Sequence, residues 1–288
     1  MATSKRLTFV AAVNNREVLQ DNLLMSPCFR RLHSHQVLIQ EKFLSAATAY
    51  NDAIRKSLND VVVFCHQDIV LPHYWLSQLD QALLWLEAND PAWGVLGCYG
   101  KTSDGTGWGH LYSSGRGVMG RRLDSPVEVQ TLDEVVLIIR KSSGLLFNEY
   151  LPNFHLYGAD ICLAAAEQRM KSYVIPTFCI HNTQQNLLLP QEFYECCRRV
   201  RRAWKKRLPI HTPTITLTRF NTSVYARKLN EVGLRLRGKR VSAARVKDVR
   251  PLLARFEIEP SEFSNGLGLS VWTRLGWFLR SQVIQGRR

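Results

Sequence analysis

The chain has 288 residues, 45% hydrophobic and 22% charged, enough to bury a large core and too apolar for a wholly disordered polymer. Its net charge of +14 is unevenly placed: residues 1–189 hold 16 Lys/Arg against 17 Asp/Glu, and residues 190–288 hold 22 against 7. The expected organisation is therefore one α/β domain over 1–189 and a basic, mainly helical region over 190–288.

Seven cysteines, at positions 28, 65, 98, 162, 179, 196 and 197, have neither metal-ligand nor redox-motif spacing. Cys65, Cys98 and Cys179 sit among apolar neighbours, as small buried hydrophobes do in a reducing compartment. The apolar stretch Leu7 to Val13 is too short for a secretory signal, and no stretch matches a bilayer span, so a cytoplasmic location is expected, with the inner membrane surface still open.

Leu7 to Val13 reads as a strand ending at Asn14-Asn15, and a helical pattern (Val18, Leu19, Asn22, Leu23) follows it. Gln36 to Gln40 is a second strand, and Phe43 to Leu58 a helix. The third strand, residues 61–70, carries the sharpest signal. Its β-branched and aromatic run, Val61 to Cys65, leads into His66-Gln67-Asp68. A carboxylate at the end of a buried strand needs a cation or a cleft, because its desolvation costs several kcal/mol. Capping of the next helix, near Tyr74 to Ala88, is the plainer role for Asp68.

Trp93 to Cys98 is a fourth strand, and alternating strands and helices argue for a mainly parallel sheet covered on both faces. From Gly97 to Gly120 there are eight glycines, without a dinucleotide fingerprint or a P-loop. Hairpins and a flap over a pocket are expected, with Trp108 either stacking on a sugar or simply packed. Val127 to Gln130 and Glu134 to Arg140 restore strand character. Asp160 then opens a helix, where a carboxylate also serves as an N-terminal cap, and the pieces Tyr173 to Pro176 and Phe178 to Ile180 end at His181-Asn182-Thr183.

Together, Val13-Asn14-Asn15, Ala49-Tyr50-Asn51-Asp52-Ala53, His66-Gln67-Asp68-Ile69, Phe154 to Leu163 and His181-Asn182 form an ordered series. Over residues 7–185 it resembles the nucleotide-diphospho-sugar transferases of GT-A fold, family-2-like glycosyltransferases with a His-Gln-Asp metal motif. The resemblance implies a three-layer α/β sandwich with a mainly parallel mixed sheet, and inverting transfer of a sugar from a nucleotide-sugar donor to a hydroxyl of a glycan or lipid-linked glycan. It implies Mn²⁺ or Mg²⁺ held by Asp68 and His181, and Asp160 as general base. It also places Val13, Asn14, Asn15, Glu41, Asn51, His66, Gln67, Asp68, Trp108, Tyr157 and Gly158 about the donor. Asp133 and Glu134 face the sugar or serve as caps. Two positions depart from the family's pattern: His66 stands for its first acidic metal residue, and Ala159 for the Glu before the base.

The basic third crowds seven cations into Arg198 to Arg207, around Phe193, Cys197, Val200 and Trp204 at helical spacing. An anionic partner follows. An anionic membrane surface is favoured over nucleic acid, since no zinc module or aromatic RNA motif accompanies the charge. Val271, Trp272, Leu275, Phe278, Leu279 and Val283 give a final helix, 270–284, one apolar face for a membrane surface or for the domain. The rival reading is a non-catalytic or nucleic-acid-binding protein using the same scaffold.

Overall fold

A computed structural model of the protein describes residues 5–31, 35–114, 116–183, 185–186, 188–236, 242–243 and 245–256. The expected terminal helix 270–284 lies outside the described residues.

Strands β1 (Leu7–Val13), β2 (Gln36–Glu41) and β3 (Val61–His66) lie parallel, with β1 in the middle. Side chains alternate across this layer: Val62 and Phe64 enter one core, while Val61, Val63 and Cys65 enter the other. After β3 the chain changes sheet. β4 (Ile69–Val70) belongs to a second sheet, so the expected strand 61–70 is broken at Gln67 and Asp68. The break has a polar cause, because Gln67 Oε1 accepts from the Asn14 and Asn15 amides, each at 3.1 Å, and so ties the ends of β1 and β3 together.

Helix α1 (Arg16–Asp21) is a short turn, and at its end the Asn22 side-chain Nδ2 donates to the Val18 carbonyl at 2.8 Å. Helix α2 (Ala46–Lys56) starts later than the expected Phe43, because Ser45 caps it by accepting from Thr48 N at 3.3 Å. Helix α3 (Trp75–Asn89) buries Trp75, Leu79, Leu83 and Leu86.

The remaining strands are β5 (Val95–Gly97), β6 (Tyr99–Lys101), β7 (Gly107–Ser113), β8 (Gly117–Arg121), β9 (Val127–Val129), β10 (Thr131–Leu132), β11 (Val136–Arg140), β12 (Ser172–Val174) and β13 (Phe178–His181). The seven-stranded sheet runs β2-β1-β3-β11-β5-β12-β9, with β11 antiparallel to both its neighbours; the second runs β10-β6-β7-β13-β4, with β8 on β7. The glycine-rich stretch thus forms hairpins within the second sheet. Helices α4 (Tyr157–Glu167) and α5 (Gln191–Ala203) join α2 on one face of the large sheet, and α1 and α3 cover the other. The result is the mixed-sheet α/β sandwich expected of the chain.

The large core continues past residue 189: Phe193, Tyr194, Cys196, Cys197 and Val200 of α5 are buried in it. The reason is the helical spacing of Phe193, Cys197 and Val200 among the run of cations. Much of that run is already engaged, Arg199 with Glu195, Arg207 with Glu167, and Arg201 with the carbonyl of Arg219. Beyond it, β14 (Gln185–Asn186) pairs with β17 (Ser242–Ala243), β15 (Ile210–His211) with β16 (Thr216–Leu217), and helices α6 (Thr222–Leu236) and α7 (Arg250–Phe256) follow. All seven cysteines are buried free thiols. Among the described residues no helix is long and apolar enough to cross a membrane.

The β6–β7 hairpin depends on Gly109, whose φ of +110° suits glycine and whose added Cβ would lie 2.0 Å from the Cys98 carbonyl oxygen. Gly109→Ala is expected to cost roughly 2–4 kcal/mol, a fall in melting temperature on the order of 5–10 °C by differential scanning calorimetry. An unchanged melt would show that the hairpin is not packed as described.

Candidate active site

Three side chains converge where the two sheets part. Asp68 follows the end of β3, His66 is the last residue of β3, and His181 ends β13, whose pairing with β4 sets His181 opposite Ile69. His181 Nε2 lies 3.4 Å and His66 Nδ1 3.9 Å from Asp68 Oδ1. One donor atom from each of the three residues falls within 4.8 Å of the others. Asp68 is 7% exposed. Burial by itself raises the Asp68 carboxyl, but the His181 hydrogen bond and the charges of His181, His66 and Arg245 outweigh it and hold the group well below the usual carboxylate range. Burial pushes the His66 imidazole down, against the pull of the Asp68 and Asp133 charges, and so favours the neutral form in which an imidazole serves as a metal ligand.

This donor set fits a divalent ion. His181 bonds the carboxylate and His66 stands 3.9 Å from it, so one donor atom of each is close enough to the others to share one ion. An ionised carboxylate with two imidazoles suits Mn²⁺ better than Mg²⁺, which prefers an all-oxygen shell.

His66 and Asp68 of the cluster line a cavity of about 680 Å³ together with Val13, Asn14, Arg16, Glu41, Phe43 and Tyr157, and His181 lies against Asp68. A volume of that order suits a small-molecule ligand. At its floor Tyr157 Oη meets His66 Nε2 at 3.0 Å, and Tyr50 bonds Tyr157. At its rim Arg16 grips Glu41 through two contacts of 2.7 and 2.6 Å, so the Glu41 carboxylate already has a cation.

Val13, Asn14, Glu41, His66, Gln67, Asp68 and Tyr157 of the expected donor residues are therefore brought together, with His181 against Asp68. Others are placed differently. Asn15 caps α1 by accepting from Val18 N at 3.1 Å. Asn51 is buried and pins the backbone of Phe147, donating to its carbonyl at 2.9 Å and accepting from its amide at 2.8 Å. Trp108 carries the Arg121 guanidinium 3.9 Å above its ring and packs on the core, so that face is not open for sugar stacking. Gly158 lets α4 approach β10, since an added Cβ would lie 2.8 Å from the Leu132 carbonyl oxygen.

Asp160, 2% exposed, lines a second cavity of about 440 Å³ with Asn148, Tyr150, Arg198, Arg199 and Arg202, and its Oδ1 accepts from Trp204 Nε1 at 2.7 Å. Burial raises the carboxyl to about 6, against the lowering by its Trp204 and Asn148 bonds. The structure thus sets Asp160 behind Tyr157 on the same helix and outside the wall of the Asp68 cavity. Glu134 is a second perturbed carboxyl. Burial and the neighbouring charge of Asp133 raise it to about 8, although the amides of Gly158 and Leu156 bond to it.

Sequence reasoning missed three groups. Tyr50 is hidden among aromatic core residues, and Arg16 follows the Asn14-Asn15 turn without any motif. Arg245 comes from the basic region beyond residue 189, and its Nη2 lies 3.3 Å from Asp68 Oδ2. A lone arginine 177 positions away leaves no signal in sequence spacing.

The sequence model of a family described as "Glycosyltransferase like family" matches residues 9–197. A curated relative from Fuscovulum blasticum, "ATP synthase subunits region ORF 6", is 32% identical over 123 residues, 40% of this chain and 48% of that protein. The chain therefore spans about half the length of that relative. Among solved structures, S. aureus TarS 1-349 in complex with UDP is similar with a TM-score of 0.45 and 15% identity, over 68% of this chain and 64% of that one. GalNAc-T7 with UDP, GalNAc and Mn²⁺ is similar with a TM-score of 0.47 and 9% identity, over 69% and 48%.

Asp68→Asn removes the ionised oxygen donor of the cluster and is expected to weaken Mn²⁺ binding by about tenfold or more in isothermal titration calorimetry. Wild-type affinity in the variant would place any bound ion elsewhere.

Proposed function

Since the chain belongs to the glycosyltransferase-like family matched over residues 9–197, we propose that it transfers a sugar from a nucleoside-diphosphate donor to an acceptor hydroxyl with inversion. The observation that carries this reading is the His66–Asp68–His181 cluster, two of whose members, His66 and Asp68, line the 680 Å³ cavity. Nucleoside and sugar fill a pocket of that size, and the diphosphate then lies against the three donors.

Departure of a nucleoside diphosphate builds negative charge on its β-phosphate, and a divalent ion held by Asp68 and His181, with His66 beside them, supplies electrostatic stabilisation of that charge. The protein's own groups position the rest. Gln67 holds the β1 and β3 ends at fixed separation, and Tyr157 orients the His66 ring by bonding its Nε2. Asp160 is proposed as the base that takes the acceptor proton, supported by its place in the first turns of α4 and a pKa of about 6, close enough to neutrality to accept a proton. On this reading the acceptor approaches through the cavity of Asp160, where Arg198, Arg199 and Arg202 suit a phosphate-bearing, lipid-linked glycan.

A base acts only when unprotonated, so kcat/KM is expected to rise with pH and reach half its plateau at about pH 6, while Asp160→Asn loses at least about a hundredfold in kcat and the acid limb with it. Assaying UDP-, GDP- and dTDP-sugars with this variant and with Glu134→Gln decides the assignment. Loss confined to Glu134→Gln would move the base to Glu134, and full activity in Asp68→Asn would refute the proposed site.

A further inference from the structure

Arg245 stands on a backbone strap that the structure fixes against the site. Val246 N donates to Asn182 Oδ1 at 2.9 Å, and Asn182 Nδ2 donates back to the Val246 carbonyl at 2.8 Å. Asn182, 1% exposed, also reaches Asn22 and Ser114 and directly follows His181, so the strap is stapled beside a candidate metal ligand. Downstream, Val249, Leu253 and Phe256 pack with Val70, Tyr74, Phe178 and Ile180, and Tyr74 Oη donates to the Phe256 carbonyl at 2.9 Å. The backbone that follows Arg245 is held at residue 246 and again from 249 to 256.

The side chain on that anchored backbone is poorly used. Only Nη2 reaches Asp68, at 3.3 Å, longer than the roughly 2.7–2.9 Å of a charge-assisted bond. Its Nε is buried with no hydrogen-bond partner. An arginine serving only as a structural counter-ion would be expected to clamp the carboxylate with both ends of its fork. This one presents a fork beside the cavity and spends a single donor on Asp68.

Charge arithmetic gives the fork a use. The diphosphate of a nucleotide sugar carries two negative charges and Asp68 a third, one more than a divalent ion neutralises, and planar guanidinium is the side chain best matched to two phosphate oxygens. Asp68 cannot serve an ion and a guanidinium equally well, because two cations on one carboxylate repel. We propose that Arg245 is a diphosphate-binding residue parked on Asp68: in the free protein it is the counter-ion of that carboxylate, and on donor binding the ion takes Asp68 while the guanidinium moves to the diphosphate oxygens. No bond is made or broken in this exchange. It rests on the proposed donor site and adds to it a residue that opposes the ion before the donor arrives and holds the donor afterwards.

The two roles have opposite signs, which makes them measurable. Mn²⁺ binding is followed by electron paramagnetic resonance without nucleotide, and UDP, GDP and dTDP binding by calorimetry at saturating Mn²⁺, for the full chain, Arg245→Gln and Arg245→Lys. Arg245→Gln is expected to bind Mn²⁺ alone about three- to tenfold more tightly and the preferred nucleotide about tenfold more weakly. Arg245→Lys should keep the competition with Mn²⁺ but recover only part of the nucleotide affinity. Unchanged or weaker Mn²⁺ binding in Arg245→Gln overturns the proposal, as does unchanged nucleotide affinity. Weakening of both together marks a purely structural role. Asp68→Asn separates this from the underlying reading: if that variant binds Mn²⁺ and nucleotide like wild type, the donor site itself is wrong, whatever Arg245 does.

Discussion

The structure is organised around one buried carboxylate. Asp68 is 7% exposed and ionised, a state that costs several kcal/mol unless opposite charge or hydrogen-bond donors surround it. The chain supplies these from distant places: His66 two residues before, His181 from the second sheet, and Arg245 from the strap before α7. Each is held by its own support, Tyr157 on His66, the β13–β4 pairing for His181, and Asn182 for the strap. Such convergence is a poor way to stabilise a fold, since well-packed apolar residues do as well or better. It is a good way to keep a charged ligand set rigid at the edge of a cavity.

The sheets explain how these groups meet. A β-strand continuing through residue 70 would carry Asp68 inside one layer, but Gln67 anchors the β1 turn and the chain crosses to the second sheet. The crossing leaves Asp68 in the gap, facing the end of β13. In α/β proteins ligands gather outside the carboxyl ends of strands, and here both β1 and β3 end at the cavity wall.

Much of this was legible in the sequence, for a physical reason. Val61 to Cys65 leaves little choice but a buried strand, and a carboxylate beyond it calls for compensation, so Asp68 stood out; Phe178 to Ile180 pointed to His181 by the same logic. The break at residues 67–68 was not legible, because it depends on side-chain bonds from Gln67 to a turn 53 positions earlier. Asn51 looked like a polar group near a nucleoside and instead holds the Phe147 backbone, a role set by tertiary contact alone. Trp108 lost its open face to Arg121, whereas Phe193, Cys197 and Val200, legible at helical spacing among the cations, form the stripe with which α5 enters the core. Arg245 had no local pattern at all, since what matters is the backbone anchored just after it.

The central claim is that the Asp68 cluster grips a cation that grips a diphosphate. The most direct measurement is anomalous diffraction at the manganese edge from crystals grown with Mn²⁺ and UDP. The account predicts a peak about 2.0–2.4 Å from Asp68 and His181 donor atoms, with the diphosphate on its far side. A nucleotide bound in the cavity with no anomalous peak at Asp68, or a peak at another group of residues, would contradict it.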